Sequence, residues 1–256
     1  MHDSTQAGGL GTLIVTGASR GIGAAIARLA PPRGWSVAVN YCTGEREAAN
    51  VVHEIVSAGG RAIAIRADVA HEDQIVEMFR VAERELGPIT GLVNNAGITG
   101  GFARVEDVTA AAIEKTLAVN VTGAILCARE AVRRMSTRRG GRGGAIVNIS
   151  SRAADTGAAG EWVHYAASKG AIDSFTIGLA REVATEGIRV NAISPGLTET
   201  GLHAANGEPG RLERLMPTIP MRRAGLPHEI AEGVLWLLSP AASYTTGAIL
   251  DMGGGR

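Results

Sequence analysis

The amino-acid sequence predicts an α/β protein in which helices cover both faces of a parallel sheet. Short apolar runs rich in β-branched residues alternate with longer helical patterns from residue 12 onward. The runs are apolar at consecutive positions, which is typical of strands buried on both faces. Strand–helix alternation favours parallel strands joined by crossover helices. No linker or shift of composition interrupts this rhythm, so the 256 residues are predicted to form one domain, 1–256.

Each element has a local signal. Pro31 and Pro32 end the first helix, because proline lacks an amide donor and its ring clashes with the preceding turn. Gly59 and Gly60 close the second helix. The predicted strands are 12–15, 35–41, 61–68, 91–97, 144–151, 188–194 and 246–254. The predicted helices are 24–30, 45–60, 71–86, 105–135, 164–187 and 224–239.

The segment from Glu199 to Arg223 is the exception to this rhythm. Glycine, proline and asparagine replace any helical or strand period there. A loop of this length inside a compact domain is usually functional, so 199–223 is predicted to be a substrate lid. A surface insertion without function is the alternative.

Composition excludes several classes of protein. The formal net charge is zero, so no global field attracts nucleic acid or a membrane surface. The arginine-rich stretch 133–144 is interpreted as a solvated helix end and loop, since no aromatic residues are interleaved. Cys42 and Cys127 lie far apart, which excludes a disulfide framework and fits a reducing compartment. Without a metal-ligand cluster, signal-peptide pattern or long apolar run, we expect a cytoplasmic protein that binds no metal.

Three glycines between the first strand and the first helix predict a nucleotide site. Gly17, Gly21 and Gly23 stand in the stretch GASRGIG. Glycine lets the backbone approach a ligand closely, and the N–H groups at a helix N-terminus bind phosphate. A tight turn without a ligand is the alternative, but the strand–turn–helix context favours nucleotide binding.

A tyrosine and a lysine one helical turn apart form a second candidate site. Tyr165 and Lys169 share a helix face, and the chain has only one other lysine, Lys115. Free tyrosine has a pKa of about 10, and a cation within ~4–6 Å lowers that pKa. In hydride-transfer chemistry such a pair can serve as general acid/base and its charge partner. An ordinary helix-surface pair is the alternative.

Several motifs occur in an order that resembles the short-chain dehydrogenase/reductase family. They are TGASRGIG at 16–23, NNAG at 94–97, the Tyr165/Lys169 pair and the dipeptide Pro195-Gly196. The resemblance covers essentially the whole chain. It implies a single-domain Rossmann fold with a doubly wound seven-stranded parallel sheet. It also implies an NAD(P)-dependent oxidoreductase that forms a homotetramer or a homodimer.

The same resemblance implies roles for individual residues. Ser151 would orient the substrate oxygen, with Ser150 and Arg152 as alternatives because the spacing to Tyr165 is one residue longer than in many relatives. Asn120 would support a water-mediated proton relay to the lysine. The residues implied to hold the cofactor are Gly17, Ser19, Arg20, Gly21, Ile22, Gly23, Asn40, Tyr41, Asp68, Val69, Asn94, Ala96, Gly97, Tyr165, Lys169, Pro195, Gly196, Thr198 and Thr200.

The end of the second strand favours NADP(H) over NAD(H). NAD sites usually place an acid there to hold the ribose 2′-hydroxyl. Here the strand ends Asn40, Tyr41, Cys42, Thr43, and the first acid is Glu45. Arg20 could pair with a 2′-phosphate. Cys42 stands where many NADP-preferring relatives have a second basic residue, so NAD(H) stays as the alternative.

The sequence therefore predicts an enzyme that interconverts an alcohol and a ketone or aldehyde, with Tyr165 as general acid/base. Sugar dehydrogenase and 3-oxoacyl thioester reductase are left open, since the substrate depends on segments that no motif decodes: 99–102, 156–162 and Leu202. Trp162 is expected to line the substrate site or to fill the core. His164 is expected on another helix face, where it packs or lies at the rim of the pocket. A non-catalytic dinucleotide-binding sensor or scaffold is the alternative to an enzyme.

Overall fold

A seven-stranded parallel sheet runs through the protein. In the computed structural model the described residues are 9–200 and 210–256, so the middle of the predicted lid, 201–209 with Leu202, lies outside them. The strand order is β3-β2-β1-β4-β5-β6-β7, and all neighbours pair in parallel. This confirms the predicted doubly wound sheet. The strands are β1 Gly11–Val15, β2 Trp35–Tyr41, β3 Ala62–Arg66, β4 Ile89–Asn94, β5 Gly144–Ile149, β6 Ile188–Pro195 and β7 Ile249–Met252.

Helices cover both faces of this sheet. Alternate β1 residues point to opposite faces, so Leu13 packs in one apolar cluster and Ile14 in the other. In the described ranges the helices are α1 Gly21–Leu29, α2 Glu45–Ser57, α3 Glu72–Leu86, α4 Ala110–Leu117, α5 Ala124–Met135, α6 Ala153–Thr156, α7 Val163–Val183, α8 Arg211–Leu215 and α9 Pro227–Leu238.

The helix predicted over 105–135 is wrong in two respects. It begins at Ala110, because the Thr109 hydroxyl caps it by accepting a hydrogen bond from the Ala112 amide at 3.2 Å. A wide π turn, Ala118–Gly123, then separates α4 from α5. Gly123 lies close to the loop that follows β3. A Cβ at Gly123 would lie 2.5 Å from the Val69 carbonyl oxygen.

The segment Ala110–Met135 is long and apolar enough to cross a membrane by length and composition, with a mean hydropathy of 1.3 in its most apolar window. This is weak evidence for a span, because a core helix can pass the same test. In the fold, Cys127, Ala128 and Met135 are buried in the core between this segment, α3 and the sheet.

The sheet order reverses between β1 and β4. Ligands of open α/β sheets bind outside the carboxyl ends of the strands at such a switch point. The glycine turn follows β1 and the NNAG stretch follows β4. The Asn95 side chain joins the two by donating to the carbonyl oxygens of Thr16 at 2.8 Å and Gly17 at 3.0 Å. The fold thus brings both motifs to one crevice.

Candidate active site

A cavity of about 650 Å³ opens at this carboxyl edge of the sheet. Every residue predicted to hold the cofactor or to take part in catalysis lines it, except Gly23, Asn94 and Asn120. Its other lining residues include Asn95, Lys115, Trp162 and Arg211. Among 9–200 and 210–256, no group of three or more His, Cys, Asp or Glu side chains is placed to hold a metal ion.

The glycine turn forms one wall of the cavity. Gly17 has a left-handed φ of 62°, and a Cβ there would lie 2.9 Å from the Ala96 Cα. Helix α1 starts without a side-chain cap and without an acid in its first turn. Its first N–H groups therefore suit an anion such as a dinucleotide pyrophosphate.

Gly23 has a packing role instead of the predicted contact with cofactor. A Cβ at this position would lie 2.6 Å from the Gly17 carbonyl oxygen and 2.5 Å from the Asn95 side-chain nitrogen. Only glycine lets α1 pack this closely under the turn.

The asparagine that faces the cavity is Asn95 and not the predicted Asn94. Asn94 is buried behind the wall, where its side-chain nitrogen donates to the Ala124 carbonyl at 3.0 Å and to the Asn148 side chain at 2.9 Å. Side chains alternate at a strand end, so adjacent asparagines face opposite ways. Asn94 braces the sheet, and its neighbour holds the glycine turn.

At the end of β2, Asn40 is a structural link. Its oxygen accepts from the Gly17 amide at 3.1 Å, and its nitrogen donates to the carbonyls of Ile65 and Ala67 at 3.3 and 3.0 Å. Although Asn40 lines the cavity, its polar atoms already join the glycine turn to β3. It positions the turn.

Cationic side chains flank the same end of β2. The Arg20 guanidinium lies beside Gly44, where a Cβ would be 3.6 Å from its Nη2. Cys42 is exposed, and burial and the neighbouring Asp68 raise the pKa of its thiol, while the charges of Arg66 and Lys115 lower it. Lys115 and Lys169, the two lysines of the chain, both line this cavity. The sequence did not predict that Lys115 lies there.

Of the three candidates after β5, Ser151 meets the tyrosine. It lines the cavity with Tyr165 and acts to lower the pKa of the phenol, and its hydroxyl accepts from the Ala153 amide at 3.1 Å. Ser150 is buried, and its hydroxyl donates to the Lys169 carbonyl at 3.4 Å. Arg152 bonds elsewhere, to Asp155 at 2.6 Å and to the Arg256 carbonyl at 2.9 Å.

The electrostatics of the tyrosine differ from expectation. Burial raises the pKa of Tyr165, and the Ser151 hydroxyl and the Arg211 guanidinium lower it by a smaller amount. Lys169 is buried, and desolvation lowers the pKa of its ammonium to about 8. Burial of the phenol therefore acts against the lowering of its pKa that the sequence predicted.

Asn120 sits in the π turn and holds the strand-end loop. Its oxygen accepts from the Ile98 amide at 2.9 Å, and its nitrogen donates to the Ile98 carbonyl at 2.8 Å and to the Ser168 hydroxyl at 3.0 Å. A Cβ at Gly97 would lie 3.4 Å from the Asn120 oxygen and 3.6 Å from the Lys169 ammonium. Glycine at 97 leaves open the space between these two groups, and the water relay stays a prediction.

The substrate end of the cavity is aromatic and charged. Trp162 is buried but also lines the cavity, and its ring meets those of Phe102 and Tyr165 edge to face, with centroids 6.1 and 6.3 Å apart. The Arg211 guanidinium lies 4.3 Å from the centre of the indole. His164 packs on another face, against Gly100, as expected.

Known proteins resemble this chain over nearly its whole length. A family model described as Enoyl-(Acyl carrier protein) reductase matches residues 17–256. The chain is 50% identical to the uncharacterized oxidoreductase YgfF of Escherichia coli K12, over 95% of this chain and 98% of that protein. It is 37% identical to a 3-oxoacyl-[acyl-carrier-protein] reductase of Synechocystis, over 94% and 95%.

A solved dehydrogenase/reductase from Sinorhizobium meliloti 1021 superimposes with a TM-score of 0.88 at 37% identity, covering 96% of this chain and 94% of that one. Because these relatives are named as oxidoreductases and reductases, the non-catalytic alternative is set aside. The chain belongs to the short-chain dehydrogenase/reductase family and is an oxidoreductase.

Proposed function

We propose that the protein interconverts an alcohol and a ketone or aldehyde with NADP(H), using Tyr165 as general acid/base. The observation that carries this proposal is that Ser151, Tyr165 and the buried Lys169 line the same cavity as the glycine turn. A hydroxyl and a phenol that point at one substrate oxygen can orient it and exchange a proton with it.

Members of the family bind NAD(P)(H). The uncapped start of α1 would hold the pyrophosphate, Asp68 and Val69 would lie beside the adenine, and Pro195, Gly196 and Thr198 would hold the nicotinamide end. When bound, the nicotinamide supplies or accepts the hydride. Tyr165 then gives its proton to the carbonyl oxygen during reduction and takes a proton from the hydroxyl during oxidation.

Lys169 would act on both partners. Its ammonium has three donors, and one is used by the Ile149 carbonyl at 2.7 Å. The other two can hold ribose hydroxyls of the cofactor. A bound, oxidised nicotinamide adds positive charge near the phenol, which favours the phenolate.

The preference for NADP(H) rests on charge at the end of β2. No carboxylate follows the strand before Glu45, while Arg20 and Lys115 both line this end of the cavity. Asp68 is the acid nearest to Cys42, and it accepts from the Ala70 amide at 2.9 Å. Two cations would favour a 2′-phosphate over a hydroxyl.

The substrate class stays between two candidates. The name of the Synechocystis relative favours a 3-oxoacyl thioester. A sugar is the second candidate, because the stretches VNY (39–41) and YAASKGA (165–171) resemble those of sugar dehydrogenases.

One assay tests the proposal. Absorbance of the reduced nicotinamide is followed with NADPH and NADH against a panel of 3-oxoacyl thioesters, simple ketones and aldehydes, and with NADP⁺ and NAD⁺ against sugars. We expect turnover that prefers the phosphorylated cofactor and falls at least about 10³-fold in Tyr165→Phe. A Phe variant near the wild-type rate would contradict the mechanism, and equal turnover with NADH would contradict the cofactor preference.

We also propose a homotetramer or homodimer. Trp236 on α9 and Leu250 on the edge strand β7 are 44% and 37% exposed, and edge strands with apolar neighbours are commonly covered. Light scattering after size exclusion measures the assembly, and a monomer at working concentrations would overturn this part.

A further inference from the structure

An ion pair reaches the candidate tyrosine from helix α8, beyond the residues that sequence reasoning assigned. Arg211 opens this helix and is only 9% exposed. Its Nε and Nη2 donate to one oxygen of Glu161 at 3.1 and 2.6 Å. Glu161 stands four residues before Tyr165, so the pair fastens α8 to the start of the catalytic helix.

The Trp162 ring lies between Arg211 and Tyr165 and contacts both. The Arg211 guanidinium stacks 4.3 Å above the Trp162 ring centre, and that ring meets Tyr165 at an interplanar angle of 74°. A guanidinium on an indole face gains cation–π attraction, more strongly where water is excluded. Guanidinium, indole and phenol therefore form one packed series in the cavity wall.

The positive charge of Arg211 affects the pKa of Tyr165. Burial raises the pKa of Tyr165, and the positive charge of Arg211 counteracts this rise, together with the Ser151 side chain. Lys169 and Asp173 also come from α7, and Lys169 is held by the Ile149 carbonyl. Arg152, after β5, pairs with Asp155 and with Asp251 of β7, both at 2.6 Å.

Glu161 has the opposite charge and stays ionised. Burial acts to raise the pKa of Glu161, but hydrogen bonds from Arg211 and Arg214 hold this pKa below its ordinary value. Arg214 contacts the outer oxygen at 2.9 Å, and its side chain is 52% exposed, so it meets Glu161 from the solvent side.

We propose that Arg211 is a positioning residue for the proton-transfer step: seated on Trp162 and held by Glu161, it stabilises the phenolate form of Tyr165. This inference rests on the proposed role of Tyr165 as acid/base. It makes the seating of α8, which lies within the predicted lid 199–223, a condition for full proton-transfer activity.

The test is the pH dependence of alcohol oxidation. Phenolate is the reactive form of Tyr165 in oxidation, so the rate rises with pH through the pKa of the tyrosine. Arg211→Met removes a cation. It should therefore move this rising limb of the pH–rate profile to higher pH by about half a pH unit or more. Glu161→Gln keeps the hydrogen bond but leaves the guanidinium uncompensated, so it should move the limb to lower pH. Arg211→Lys should retain most of the wild-type position.

Arg214→Met is the matched control, because it breaks the exposed half of the same pair and should leave the limb in place. Shifts of opposite sign in Arg211→Met and Glu161→Gln support the inference. Shifts of the same sign, or none, overturn it and leave a purely structural pair.

A second readout needs neither cofactor nor substrate. The chain has three tyrosines, so the ultraviolet absorbance of Tyr165 phenolate can be isolated as the difference between each protein and its Tyr165→Phe counterpart. The titration should move upward in Arg211→Met, and an unchanged midpoint overturns the inference. If Tyr165→Phe itself keeps wild-type turnover, the proposed function fails instead, whatever this titration gives.

Discussion

The ammonium of Lys169 lies 5.6 Å from the centre of the Tyr165 ring and donates to the Ile149 carbonyl oxygen at 2.7 Å. The lysine is therefore anchored to the end of β5, beside the phenol and not bonded to it. Burial without a carboxylate partner in contact disfavours its charge, which is why the pKa of Lys169 falls from 10.5 to about 8.

The lowered pKa of Lys169 predicts a pH-dependent stability. Between about pH 8 and 10.5 the unfolded chain keeps this proton and the folded protein has lost it, so stability rises with pH across that window. Relative to Lys169→Met, the wild-type free energy of unfolding should increase by roughly 1–3 kcal/mol from pH 7.5 to 10. Urea denaturation at the two pH values measures this difference.

The exposed lysine provides the control for that measurement. Lys115→Met removes a charge at the cavity rim, where water solvates the ammonium. It controls for the loss of a lysine from the cavity wall. A Lys169→Met stability difference that stays constant from pH 7.5 to 10 would contradict the prediction.

Alanine variants of the two serines after β5 should differ in whether they lose catalytic rate or stability. Ser151→Ala removes the hydroxyl that shares the cavity with the phenol, and we expect kcat to fall about 10²–10³-fold with little change in stability. Ser150→Ala leaves that hydroxyl in place and removes a buried one that donates to the Lys169 carbonyl. It should cost about 1 kcal/mol of stability and less than tenfold in kcat. Steady-state kinetics with thermal melts compares them, and a larger kinetic loss in Ser150→Ala would reverse the assignment.

The parts of the fold that the sequence predicts are those with local causes. Apolar runs, prolines and the glycine turn act within a few residues, so strand positions and the switch-point crevice follow from them. The break at Asn120 depends instead on contacts with Ile98, which lies 22 residues away, so a continuous helix was expected. Lys115 and Arg211 escaped notice because a charged residue on a helix or in an aperiodic segment is ordinarily solvated.

Arg20 and Lys115 should set the cofactor preference together. If both cations face the 2′-phosphate, each alanine substitution should lower the NADPH/NADH ratio of kcat/KM about tenfold or more, mainly through NADPH. The double variant should approach indifference between the cofactors. Raised salt should weaken NADPH binding more than NADH binding in the wild type. A ratio unchanged in Lys115→Ala would leave Arg20 as the main determinant.

Gly97 offers a test of the relay through Asn120. A Cβ at this position would lie 3.4 Å from the Asn120 oxygen and 3.6 Å from the Lys169 ammonium, which is ordinary contact without a clash. Gly97→Ala should therefore fold normally while its methyl group occupies the space where a water would join the two groups. We expect kcat to fall at least about tenfold, with a melting temperature close to wild type. Gly178→Ala on the exposed face of α7, where a Cβ meets nothing within 4 Å, is the matched control and should add about 0.5–1 kcal/mol of stability at unchanged kcat. Wild-type turnover in Gly97→Ala would show that no water in this space carries the proton, and would limit Asn120 to holding the loop at Ile98.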